Sequence, residues 1–158
     1  MELLEQYLEG HRILQEAIQG LTAEQMKTVP ADGGWSIHQI VIHVVDAETV
    51  YTGRIKQTLA EEMPPLLPYD QDKWAERLYY HEADVTLYLE LFRLLRKTNA
   101  QLLREATEEE WERKGRHAEA GELTVRQMLK ALIGHVTAHV NRIQKIREEL
   151  FMIKTSKA

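Results

Sequence analysis

The 158-residue chain contains no cysteine, which excludes an internal disulfide, a Cys-ligated zinc and a protein thiol as nucleophile. It has four prolines, and three of them fall in one stretch, EEMPPLLPYDQ, so little elsewhere interrupts helix. No apolar run approaches the length of a membrane span. The first residues, MELLEQYLEGHRILQEAI, carry charges throughout and lack an apolar h-region, which reads as part of the fold and not as a signal peptide. No Lys/Arg block stands out and the formal net charge is −5, which disfavours nucleic acid as a partner. Phosphate-cradling glycine loops, HExxH and GxSxG are also missing. The expectation is a globular protein of the cytoplasm that engages neither nucleic acid nor membrane. One domain is expected over 1–152, with 153–158 as a frayed tail.

What is present is helical periodicity. Residues 2 to 20 place Leu4, Tyr7, Leu8, His11, Leu14 and Ile18 on one stripe. LTAEQM then offers Thr22 as N-cap with Gln25 three residues on, and WSIHQI offers Ser36 and Gln39 with a Trp35/Ile40 staple. The helix opened by Ser36 is apolar around most of its first three turns, which predicts cover by its own bundle or by a second subunit; a homodimer is expected on this ground. From Asp72 to about Glu105 the pattern predicts one long helix, with Trp74, Leu78, His81, Val85, Phe92 and Leu102 in register. ATEEEW repeats the capped turn with Thr107 and Glu110. After a polar loop, ERKGRHAEAGE, LTVRQM opens the last helix with Thr124 and Gln127.

The two halves share this plan of helix, short capped turn, linker and boxed helix. The fold class is therefore all-α: a four-helix bundle, up-down-down-up, built of two αα-hairpins joined by a Pro-rich crossover.

The last helix carries His135 and His139 within its apolar stripe. An i, i+4 pair projects two rings to one side about 6 Å apart along the axis, a spacing that can chelate one transition-metal ion. Alone, HxxxH serves equally for hydrogen-bonded core or surface histidines. His43 comes seven residues after its N-cap, and His135 and His139 come eleven and fifteen after theirs, so all three share an azimuth. If the two helices run antiparallel, a shift of one turn brings the three imidazoles level. Such a set would leave coordination positions free for water or substrate.

In these residues the chain resembles the DinB/YfiT-like superfamily of bacterial four-helix-bundle metalloproteins. GGWSIHQIVIHVVDAE is similar to the family's Trp-Ser helix start and first histidine, and GELTVRQMLKALIGHVTAHVNRI to its last-helix block, so the resemblance covers nearly the whole chain. It implies metal ligands at His43, His135 and His139 and a divalent transition metal, zinc or nickel first, with iron or manganese also acceptable. It implies a metal-dependent enzyme of detoxification or stress response whose external nucleophile is a low-molecular-weight thiol of the bacillithiol or mycothiol type, transferred through sulfur. A hydrolase using metal-bound hydroxide is the alternative. A non-enzymatic, stress-induced metal-binding dimer is a third reading.

The chain departs from the family at two places. Ala138 precedes His139 where many relatives have a second histidine, and Arg142 stands where they have glutamine; a guanidinium there suits an anionic substrate or plain surface. His11 and His81 face the cores of their helices and are candidates for a ligand, a supporting acid/base or a hydrogen-bonded buried histidine. His38 and His117 are expected in solvent, and mid-helix acids such as Asp46 and Glu48 ordinarily face water.

Overall fold

The computed structural model describes residues 2–151; the expected tail at 153–158 lies outside them. Four long helices form the bundle: α1 (Glu2–Ala17), α3 (Ile37–Ala60), α5 (Val85–Glu105) and α7 (Val125–Phe151). Shorter elements connect them: α2 (Ala23–Lys27), β1 (Pro65–Leu66), α4 (Gln71–Arg77), a 3₁₀ turn at Tyr80–Glu82, α6 (Glu108–Trp111), β2 (Lys114–His117) and β3 (Gly121–Thr124).

The helix starts follow from local chemistry. Thr22, Ser36 and Thr107 each accept from the backbone three residues on, while Gln25, Gln39 and Glu110 reach back to the cap. Thr124 and Gln127 make the same reciprocal pair at 3.0 and 2.9 Å, so at four helix starts eight backbone donors are satisfied by their own segments. Helix α1 stops at Ala17, short of the expected residue 20, because Arg147 donates to the Ala17 and Gln19 carbonyls, both at 2.8 Å.

The directions are up, down, down, up. Leu14 and Ala17 at the end of α1 pack with Ile40 and Val44 from the start of α3, Phe92 from the start of α5 and Ile143 from the end of α7. Leu4 and Tyr7 meet Ile55, Leu103 and Met128 at the other end. Helices α1 and α3 each pack against α5 and α7, so the two members of each antiparallel hairpin face each other across the bundle diagonal instead of lying side by side. Neighbours α1/α7 and α3/α5 are consequently parallel.

The single long helix expected from Asp72 to Glu105 is broken. Asp84 accepts from the Leu87 backbone and starts a new helix, and Tyr79 just before the 3₁₀ turn has φ of 53°, a left-handed conformation that ends α4. The break lets Tyr80 drop onto the outer face of α3, where it packs with Ile42 and Ala75. This cover explains the wide apolar girth of α3 from within the chain, so that girth is not evidence for a second subunit. Leu78 and Leu102, expected in the core register, are exposed.

The polar loop before α7 is a hairpin, with Lys114 paired to Thr124 and His117 to Gly121, and β1 of the crossover adds in parallel to β2. Gly115 is required there, because a Cβ would stand 2.8 Å from the Leu66 side chain.

Candidate metal centre

Antiparallel packing of α3 and α7 brings the three histidines to one level. His43 is buried, while His135 and His139 are half-buried toward solvent. His135 Nε2 lies 3.0 Å from His43 Nε2 and 3.0 Å from His139 Nε2. The rings meet edge to face, with centroids 4.4 to 4.9 Å apart.

Hydrogen bonding alone does not account for this convergence. Each Nε2 has either one proton or one lone pair, so His135 cannot satisfy both of its contacts at once. A tetrahedral ion with ligand bonds of about 2.0–2.1 Å would hold its nitrogens roughly 3.3 Å apart, close to the 3.0 Å of the two His135 contacts, and the three ligand atoms all lie within 4.8 Å of one another. Burial pushes the His43 imidazolium pKa down to about 3, with repulsion from His135 and His139 adding to it. Burial likewise pushes His135 down to about 4, helped by His139 and the Arg96 guanidinium, and lowers His139. All three rings are therefore neutral near pH 7 with lone pairs available, as a metal requires. Among the described residues the cluster contains no carboxylate. The donor set fits a divalent cation.

The Trp35 ring packs against His43 with centroids 4.8 Å apart. Capping fixes it: Trp35 immediately precedes Ser36, whose cap sets the start of α3. On its other side His43 Nδ1 is buried with no hydrogen-bond partner among the described residues.

A polar layer spans the core beside the cluster. Arg96 of α5 is sandwiched between the rings of Tyr7 and Phe92, at 4.3 and 4.5 Å. It pairs with Glu48 of α3 and donates to the Tyr7 carbonyl of α1 at 2.5 Å and to the Leu132 carbonyl of α7 at 3.2 Å. One guanidinium thus ties all three other long helices, and Leu132 lies one turn before His135. Asn99 Nδ2 extends the layer to Tyr7 Oη and Thr52 Oγ1 at 3.0 and 2.8 Å.

Sequence reasoning missed this layer. Glu48 is fully buried and does not face water, and Asp46 accepts from the Tyr80 hydroxyl at 2.7 Å. The available signal was Phe92, Arg96, Asn99 and Leu103, which recur at helical spacing with two polar residues on the apolar stripe.

The remaining candidates sit apart from the cluster. His11 is half-buried and stacks on Phe92 with centroids 6.4 Å apart. His81 Nε2 lies 2.8 Å from Ser36 Oγ and so supports the cap of α3. His38, expected in solvent, is buried and its Nε2 donates to the Ala83 carbonyl at 2.9 Å, because the break before α5 folds that segment over the first turn of α3. His117 is half-buried, its Nδ1 accepting from Glu119 and Ala120 in the hairpin turn. Arg142 pairs with Asp32 at 2.6 Å. No helix of the described residues is long and apolar enough to cross a membrane.

The sequence profile that defines the DinB superfamily matches residues 6–143. A protein of Oceanobacillus iheyensis is 30% identical over 135 residues, covering 85% of this chain and 78% of the relative. Another, YfiT of Bacillus subtilis, is 30% identical over 138 residues, covering 87% and 78%. Both bear the name "Putative metal-dependent hydrolase". The solved structure of YfiT, described as a probable metal-dependent hydrolase with an unusual four-helix bundle topology, superposes with a TM-score of 0.89 at 27% identity, over 94% of this chain and 86% of that one. The mycothiol-dependent maleylpyruvate isomerase shares the fold, with a TM-score of 0.71 at 14% identity over 90% of this chain and 59% of that one.

Proposed function

The chain belongs to the DinB superfamily, and from that premise we propose that it is a divalent-metal enzyme that activates a small nucleophile at His43, His135 and His139. The observation that carries the reading is the convergence of three neutral Nε2 atoms without a carboxylate among them. Neutral ligands leave the ion its full charge, and an ion so held lowers the pKa of a bound thiol or water.

The protein's own part is positioning. Ser36 and its cap fix the start of α3 and with it His43, while Arg96 fixes α7 through the Leu132 carbonyl. Trp35 shields His43. The half-buried edges of His135 and His139 leave the α7 side accessible to substrate.

The first nucleophile proposed is a low-molecular-weight thiol, for S-transfer to an electrophile. The chain has no cysteine of its own, and the isomerase that shares its fold is mycothiol-dependent. The second is water, which would make the chain a hydrolase, as the names of its relatives have it. The reading includes a homodimer and places the protein in the cytoplasm, in detoxification or stress response. Zinc and nickel are the first metals to try.

The test is elemental analysis of protein purified without a histidine tag, beside His43→Ala and His139→Ala. Near-stoichiometric metal that disappears in both variants is expected. Metal-loaded protein is then given thiol plus electrophile in one arm and an ester and amide panel in the other. Turnover in one arm selects the nucleophile. Failure to bind metal, even on reconstitution near neutral pH, sinks the reading.

A further inference from the structure

Three arginines are buried among the described residues: Arg54, Arg96 and Arg147, at 6, 1 and 5% exposure. A guanidinium stays charged wherever it sits, so each needs compensation in place. Arg96 has it from Glu48. Arg147 has it from the Ala17 and Gln19 carbonyls, at the negative end of the α1 dipole, although its Nε has no partner. Arg54 has neither an acid nor a helix end. Its Nη2 donates to a single carbonyl, that of Leu67 in the crossover, at 2.5 Å. Its Nε is buried with no hydrogen-bond partner, and no salt bridge among the described residues includes it.

Two phenols surround this uncompensated charge. The guanidinium lies over the Tyr51 ring, with Cζ 4.9 Å from the centroid, and its charge acts on the Tyr69 phenol. Tyr51 belongs to α3 and Tyr69 to the crossover, and both are half-buried. The Tyr69 ring is held against Trp74, centroids 4.7 Å apart. Burial pushes the Tyr69 pKa up to about 12, against the pull of Arg54, so near pH 7 its hydroxyl is a donor. Asp46, whose charge also reaches Tyr69, is already engaged, accepting from the Tyr80 hydroxyl at 2.7 Å. What remains is a planar guanidinium and two phenol hydroxyls, a donor set that matches the oxygens of a carboxylate or phosphate.

We propose that Arg54, Tyr51 and Tyr69 form an oxyanion site between α3 and the crossover, for a carboxylate or phosphate group. The site is separate from the histidine cluster, since Arg54 comes eleven residues after His43 on α3, about 16 Å along the axis. It goes beyond the metal reading and stands independently of it.

The experiment is a thermal melt of the full-length protein near pH 7 in inorganic phosphate and, separately, in succinate, each against potassium chloride at equal ionic strength. At least one oxyanion is expected to raise the melting temperature in a saturating manner, by about 3–6 °C at tenfold its dissociation constant. The larger shift separates a phosphate ligand from a carboxylate. His139→Ala is expected to show the same shift, which keeps an oxyanion bound to metal out of the reading. Arg54→Met is expected to lose the shift. Tyr51→Phe and Tyr69→Phe keep their rings and are each expected to weaken oxyanion binding about tenfold, a readout that stands even if Arg54→Met does not fold. The proposal is overturned by a parent protein insensitive to both oxyanions, by a shift that survives Arg54→Met or vanishes in His139→Ala, or by phenylalanine variants that both bind like the parent. None of these outcomes bears on metal binding, which the elemental analysis reads separately.

Discussion

Arg96 of α5 and Glu48 of α3 form an ion pair whose side chains are both sealed from solvent, and the Tyr7 hydroxyl donates to the same carboxylate at 3.2 Å. Burial raises the Glu48 carboxyl pKa while the neighbouring guanidinium lowers it, so the charged form depends on the partner being present. Glu48→Gln is therefore expected to cost about 3–5 kcal/mol, the usual penalty for stranding one charge of a buried pair. Replacing both members, as Glu48→Leu/Arg96→Met, should cost less than Glu48→Gln alone. Urea unfolding of the variants decides it, and additive losses would refute the coupling.

Gly10 is the point at which α1 admits the guanidinium. A Cβ built there would stand 2.3 Å from Arg96 Nη1. Gly10→Ala should consequently lower the melting temperature despite alanine's better helix propensity, by an amount equivalent to about 1–3 kcal/mol of overpacking. Adding Arg96→Met should recover part of that loss. A Gly10→Ala protein as stable as the parent would show that the arginine has room to move.

The histidine cluster predicts an acid-sensitive apoprotein. Its imidazolium pKa values are depressed in the fold, to about 3 for His43 and about 4 for His135, against about 6.5 in the unfolded chain. Below about 6.5 the unfolded state binds more protons, so stability is full above that pH and declines as pH falls toward 4. The limiting slope is about 1.4 kcal/mol per pH unit for each histidine. Denaturation in chelator at pH 7.0, 6.0 and 5.0 checks this, with His43→Leu expected to flatten the profile. A parent protein equally stable across that interval would contradict the burial of neutral rings.

Ser36 serves two partners, the Gln39 backbone at 3.2 Å and His81 at 2.8 Å. Ser36→Ala is expected to lose about 1–2 kcal/mol, at the upper end for an N-cap. His81→Ala should lose less, because the cap survives it. Thermal melts of the two variants compare them directly, and an equal or larger loss in His81→Ala would reverse the assignment.

Local chemistry was the legible part of this fold. Thr22, Ser36, Thr107 and Thr124 announce their helices because each cap and its partner lie three residues apart. Helix directions followed from those starts, and the meeting of His43, His135 and His139 followed from residue offsets along two antiparallel helices. What escaped was set by tertiary contact. The apolar register of residues 72 to 105 runs through the break at Tyr79, and only the Asp84 cap betrays it. His38 and Glu48 look solvated until that segment and Arg96 close over them. The diagonal placement of α1 and α3 has no local signature, since connection length sets how far a helix travels but not which corner it takes.

That diagonal placement also constrains how the chain reaches its fold. The two long helices of each hairpin, α1 with α3 and α5 with α7, do not pack on each other, so neither helical hairpin can consolidate early by closing its own short loop. Contacts that skip the nearest helix raise contact order, so the chain should fold more slowly than an up-and-down bundle of equal size. The His43–His135 contact closes across 92 residues, and α7 is synthesised after the other three long helices. The cluster is thus assembled only when the whole bundle is, and it cannot scavenge metal from a half-made chain.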